Sequence, residues 1–243
     1  LSAVDTTSLI ISTAAILFVC AFLRSAVGFG DALLGIPLLG MVMSLPTASP
    51  VVAFAGVTMS LVIFAANREK VDFQSAWRLA LSSLAGIPFG VLLLHSAPER
   101  MVKQLLGLIL VFYGLYSLTA PRMPHLGRER YAFAFGFVAG ILGGAYNTSG
   151  PPVIIYGTLR RWSPGYFRAT LQLFFLFTYS ATIAGHGIAK LWTPWVLELF
   201  LWALPGIGLG LYLGGKMHSL IPIRIFSPII LGILVVLGVL LLR

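Results

Sequence analysis

The sequence predicts an all-α polytopic membrane protein built as two inverted repeats, each a broken or re-entrant helix hairpin followed by three transmembrane helices. Three observations predict it. Of 243 residues, 58% are hydrophobic and only 9% are charged, with a mean hydropathy of +0.97. A soluble domain carries about 25% Asp, Glu, Lys and Arg to hold its surface in water, so the solvent here is lipid. Six apolar segments are, within tolerance, long enough to cross a hydrocarbon core, which takes about 20 residues. Lastly, glycines and prolines recur in the same order in both halves. The 26 glycines and 14 prolines suit membrane helices, where close packing and deliberate breaks are both used.

The elements follow in order. Residues 8–23 and 31–45 form a first hairpin, interrupted by Arg24-Ser25-Ala26-Val27-Gly28-Phe29-Gly30. Spans over 51–66, 73–95 and 101–119 come next, punctuated by Asn67-Arg68-Glu69-Lys70 and Ser96-Ala97-Pro98-Glu99-Arg100. A polar linker, 121–130, closes the first repeat, 1–120. The second repeat, 131–243, opens with arms over 131–143 and 151–159 around Gly144-Ala145-Tyr146-Asn147-Thr148-Ser149-Gly150. At 1.5 Å per residue these arms reach roughly 20 Å and 14 Å, too short to span. Spans over 169–189, 194–215 and 225–242 complete a single membrane domain.

The recurrence is specific. Gly28, Gly35 and Pro37 return 115 residues later as Gly143, Gly150 and Pro152. Gly86-Ile87-Pro88-Phe89-Gly90 returns after 120 residues as Gly206-Ile207-Gly208-Leu209-Gly210, and Leu106-Gly107 after 125 as Leu231-Gly232. Three spans per half is an odd number, so the second half enters from the opposite face. Charge counting points the same way. With the N-terminus outside, the inner loops hold Arg68, Lys70, Arg78, Arg122, Arg128, Arg130, Arg160, Arg161, Arg168, Lys216 and Arg224. Outside stand Arg100, Lys103, Lys190 and Arg243. Eleven against four is a positive-inside bias with the linker cytoplasmic. It also explains the net charge of +9 without nucleic acid. Residues 1–7 hold Asp5 and no Lys or Arg, unlike a cleaved signal peptide.

A helix that begins inside the membrane aims its unpaired N–H groups and positive dipole end at the midplane, where they attract an anion. The second arms start near Gly30-Asp31-Ala32 and Ser149-Gly150-Pro151. Inversion brings the two starts together at one central site for a small oxyanion, with Gly28, Gly30 and Gly150 letting a ligand approach the backbone and Asn147, Thr148 and Ser149 as side-chain donors. Arg24 beside the first break is either a buried guanidinium that needs an anion or carboxylate, or a residue that snorkels to the cytoplasmic face. Asp31 is either a local helix cap or a proton-coupling group. The glycines at spacings of four, Gly86 and Gly90, and Gly206, Gly210 and Gly214, are packing residues, within or between chains. Glu198, Arg78 and His186 are expected at the membrane interface, whereas Gln172 and Tyr156 are candidates to face the cavity.

Other classes have less support. A Gly-x-Ser-x-Gly or His-Glu-x-x-His pattern is missing, which argues against an enzyme with Ser149 as nucleophile or a histidine as base. Cys20 is the only cysteine, so neither an intrachain disulfide nor a cysteine-rich metal site is expected. No cofactor and no metal are expected. The partners are a small anion and the bilayer. An importer of a related anion with the same build, and a scaffold without transport, remain as alternatives.

Gly28-Phe29-Gly30 with Pro37, and Gly140-Ile141-Leu142-Gly143-Gly144 running into Ser149-Gly150-Pro151-Pro152, resemble the two signature regions of the TauE/SafE family of sulfite exporters. The resemblance covers nearly the whole chain. It implies a bacterial inner-membrane transporter that moves sulfite or a related organosulfur anion, commonly outward. The substrate region it implies comprises Gly28 and Gly30 on one side and Asn147, Ser149 and Gly150 on the other. Phe29 and Asp31 stand where the family often has a richer glycine cluster.

Overall fold

The computed structural model describes residues 6–28, 30–66, 73–119, 126–217 and 223–242. They form α1 (Thr6–Val27), α2 (Asp31–Val42), α3 (Leu45–Ala66), α4 (Phe73–Ser96), α5 (Glu99–Thr119), α6 (Tyr131–Tyr146), α7 (Gly150–Leu159), α8 (Pro164–Ile188), α9 (Pro194–Met217) and α10 (Ile223–Leu241). Among the described residues there is no strand. The connection Asn67–Lys70 and the first half of the linker, 121–125, with Arg122, lie outside the described residues.

Two boundaries differ from expectation. The first arm was ended at a charge, Arg24, but α1 runs 22 residues, about 33 Å at 1.5 Å per residue. Among the described residues it is one of five helices long and apolar enough to cross a membrane, so the first hairpin pairs a full-length helix with a short one. The segment expected to start at 51 starts at Leu45, with Pro46 in its first turn, where a missing N–H costs little, and Pro50 inside the helix. α2, with 12 residues, and α7, with 10, are as short as half-helices need to be.

The glycine faces pack within the chain. A Cβ on Gly86 would stand 2.2 Å from the Phe137 carbonyl oxygen, and one on Gly90 would stand 2.1 Å from that of Ile141. Gly140 of α6 answers at 2.1 Å from the Ser83 oxygen. α4 and α6 thus lie backbone to backbone and parallel, since their contact positions rise together. α9 does the same with α1, where Gly210 and Gly214 stand 2.5 Å and 2.3 Å from the Phe18 and Phe22 oxygens. α5 and α10 run antiparallel, with Gly107 on Gly238 and Gly114 on Leu231 and Val235. α3 and α8 face each other across the centre, with Gly56 under the Tyr179 ring.

The radial distribution of polarity suits lipid. Phe89, Leu92, Phe112, Leu201 and Trp202 point outward and are more than half exposed, while Arg24, Asp31, Ser49, Ser60, Asn147, Thr148 and Thr182 are buried inside. An intramembrane polar group that faces inward marks a functional interior.

Candidate functional site

The first break is made by glycine. Gly28 at φ 97° and Gly30 at φ 102° occupy the left-handed region that side chains with a Cβ disfavour. The chain turns there from α1 into α2. The first helical bond of α2 is Leu34 N–H to the Gly30 oxygen, which leaves the N–H groups of Asp31, Ala32 and Leu33 free of helical partners. At the second break Asn147 takes the left-handed role at φ 56°, and its N–H closes α6 onto the Gly143 oxygen at 2.8 Å. α7 then opens with Gly150-Pro151-Pro152. Proline has no N–H and its φ is preset for a first turn, so Gly150 is the N–H donor at this end.

Both starts open on one small cavity. Gly30, Asp31, Ala32 and Leu33 line it from α2, Asn147, Thr148, Gly150 and Ile154 from the second break, and Phe175 and Tyr179 from the middle of α8. Its free space is about 10 Å³, room for about one water molecule. Of the residues singled out in the sequence, Gly30, Asp31, Asn147, Thr148 and Gly150 line this cavity, and Gly28, Arg24 and Ser149 do not. Ser149 lies behind it, packed on Gly143.

Arg24 is completely buried and does not snorkel, although α1 is full length. Its Nη1 donates to Asp31 Oδ2 at 2.5 Å, and its Nη2 donates to Ser60 Oγ at 2.7 Å and to Gln172 Oε1 at 3.3 Å. The guanidinium carbon lies 4.8 Å from the Phe175 ring centroid and 5.3 Å from that of Tyr179. Tyr179 also donates to Asp31 Oδ2, at 2.9 Å. The Asp31 carboxylate therefore reaches across to α1 and α8 as the partner of a buried cation, which is more than a local cap. Gln172 satisfies itself on protein, donating to the Gly28 oxygen at 3.0 Å, and pins the break.

Asn147 Nδ2 donates to the Ser49 carbonyl at 2.7 Å and to Ser49 Oγ at 2.8 Å. The side-chain oxygens of Asn147 and Thr148 are buried without a protein partner. Ser49, Ser60, Phe175 and Tyr179 were not singled out in the sequence. Ser49 and Ser60 are eleven residues apart, about three turns, so they share one face of an apolar helix. Tyr179 sits mid-span, where the aromatic belt does not place a tyrosine. His186, expected at the interface, is wholly buried and holds the Gly144 carbonyl through Nε2 at 3.1 Å. Tyr156 faces Phe135 and Trp162 rather than the cavity.

With two half-helix starts on one intramembrane cavity, the matches to known proteins acquire meaning. The profile of the sulfite exporter TauE/SafE family matches residues 13–241. The chain belongs to that family. TauE/SafE proteins are transporters, not enzymes. A probable sulfite/organosulfonate exporter TauE from Cupriavidus necator is 25% identical over 171 residues, 67% of this chain. The match spans 65% of that protein's own length, just under two thirds. No solved structure matches this chain.

Proposed function

We propose that the chain is a secondary transporter that moves a small sulfur oxyanion, sulfite or an organosulfonate, out of a bacterial cell across the inner membrane. The observation that carries this is the meeting of the α2 and α7 N-termini on one buried cavity, beside a fully buried arginine, in a TauE/SafE chain. Each half-helix start presents about half a positive charge, and a site shielded from water makes that field strong. Gly30, Gly150, Asn147 and Thr148 form the substrate contacts. Gly28, Arg24 and Ser149 hold the two breaks in place.

The two halves are read as inverted repeats with the N-terminus outside and the linker inside. Helix pairing supports this, because the first helix of each half packs on the fourth of the other, α1 on α9 and α6 on α4, while α3 meets α8 and α5 meets α10. Transport is by alternating access around the fixed site. At about 10 Å³ the cavity holds less than a whole anion, so it must widen to admit one.

Thermal unfolding of the detergent-purified protein against sulfite, sulfate, thiosulfate, sulfoacetate, taurine and phosphate tests the reading. A ligand at 100 times its Kd stabilises by about 2.7 kcal/mol. One sulfur anion is expected to stabilise selectively, with the effect lost in Asn147→Ala. Transport in proteoliposomes is expected to fall in Asn147→Ala and in Thr148→Val without loss of fold, and undiminished transport in both variants would remove the site assignment.

A further inference from the structure

Asn147 is held in one orientation. Its amide nitrogen lies against two oxygens of Ser49. The Ser49 hydroxyl spends its only proton on the Ala145 carbonyl at 3.1 Å, so both Ser49 oxygens act on Asn147 as acceptors. A flipped amide would set an acceptor against two acceptors. Asn147 Oδ1 is therefore committed to face away from Ser49, and there it is buried without a donor. Thr148 Oγ1, next in the chain, is equally buried and unpartnered. Asn147 is 2% exposed and Thr148 is 1% exposed, and both line the cavity across from Asp31.

A ligand here meets donors in the unpaired N–H groups at the two helix starts, and it also meets acceptors in Asn147 Oδ1 and the Asp31 carboxylate. Water that enters satisfies both kinds. An anion that displaces it must supply a donor or lose affinity. The sulfite and sulfate dianions supply none and bring a second negative charge toward Asp31. We propose that Asn147 makes the site selective for a monoanion that carries its own hydrogen-bond donor, the hydrogensulfite class with one O–H, over dianions and over monoanions without a donor. The inference rests on the oxyanion-site reading above. An aminoalkanesulfonate, a zwitterion without net charge, offers the same pairing of an anionic head with a donor, here its ammonium group.

Methanesulfonate supplies the comparison, being a monoanion like hydrogensulfite with a methyl group in place of the hydroxyl. Titration calorimetry on the full purified chain would use sulfite, methanesulfonate, sulfate and taurine between about pH 6 and pH 8. The titratable groups around Asp31 are Arg24 and Cys20 of α1 and Tyr179 of α8. The expected result is sulfite binding at the acid end at least about tenfold tighter than methanesulfonate, a difference of about 1.4 kcal/mol. The apparent sulfite affinity should then fall with rising pH as the hydrogensulfite fraction falls, with methanesulfonate indifferent to pH. Tight binding of taurine beside weak methanesulfonate also supports the donor rule and assigns its source to the ammonium.

Equal affinities for sulfite and methanesulfonate overturn the inference and leave the oxyanion site standing. The same pH dependence for both anions puts the proton on Asp31 and overturns it too. Failure of all four to bind overturns the site itself. Asn147→Gly, which keeps the left-handed backbone, is expected to weaken sulfite at least about tenfold more than it weakens methanesulfonate. Equal weakening of both anions would make Asn147 merely structural, and should this variant fail to fold, the wild-type comparison still decides.

Discussion

Removing Arg24 should harm the protein more than removing its partner Asp31. Arg24→Met leaves the Asp31 carboxylate, 4% exposed, with Tyr179 in place of a cation. Stripping one partner from a buried ion pair costs about 3–5 kcal/mol, because the remaining charge is left in a medium that cannot solvate it. Asp31→Asn keeps a neutral acceptor of the same shape, and the guanidinium keeps Ser60, Gln172 and the two rings at 4.8 Å and 5.3 Å. Its cost is expected at about 1–3 kcal/mol. The double variant Arg24→Met, Asp31→Asn removes both charges. It is expected to recover at least about 1 kcal/mol relative to Arg24→Met alone, the non-additivity of groups in contact. Chemical or thermal unfolding of the ligand-free protein in detergent measures all three. An Asp31→Asn variant less stable than Arg24→Met, or a double variant whose loss is the sum of the singles, would refute the reasoning that the pair is a mutually dependent buried unit.

Gly210→Ala should destabilise by about 1–3 kcal/mol, since its Cβ would stand 2.5 Å from the Phe18 carbonyl oxygen. Gly208→Ala, two residues away with nothing within 4 Å, should be neutral or stabilise the helix by up to about 1 kcal/mol; equal melting temperatures would sink the backbone-seam argument. Tyr179→Phe should cost about 1 kcal/mol by removing one donor from Asp31, and unfolding equilibria resolve that. Glu129→Gln should change stability by less than about 1 kcal/mol, because its pairs with Arg78 and Arg160 are exposed and solvent screens them; a larger loss would mean that this corner carries more load than its exposure suggests.

Composition and the glycine breaks made the class of fold and the meeting of the two half-helices legible, because both follow from what lipid demands of a backbone. The lengths of the hairpin arms were less legible. A charge inside an apolar run reads as a boundary, yet Arg24 is carried within α1 because Asp31, seven positions on, turns back to meet it, and only the fold shows that. Matched glycines suggest an offset of 115 residues between the halves, whereas the ends of α1 and α6 and the starts of α2 and α7 are 119 apart. Ser49 and Ser60 escaped notice because serine in a membrane helix more often satisfies its own backbone, and nothing local says which serine has a partner on another helix.

The glycine seams join α1 to α9 and α4 to α6, and each therefore crosses from one half of the chain to the other. The halves interlock like the fingers of two clasped hands, and neither possesses a complete wall of its own. On the alternating-access reading, the bodies that move must then be drawn from both halves, since sliding 1–120 past 131–243 as blocks would tear these glycine seams. The same weave means that a chain severed in the 121–130 linker has every reason to stay together, while either fragment made alone would present its bare glycine faces to lipid that cannot fill them as a helix does.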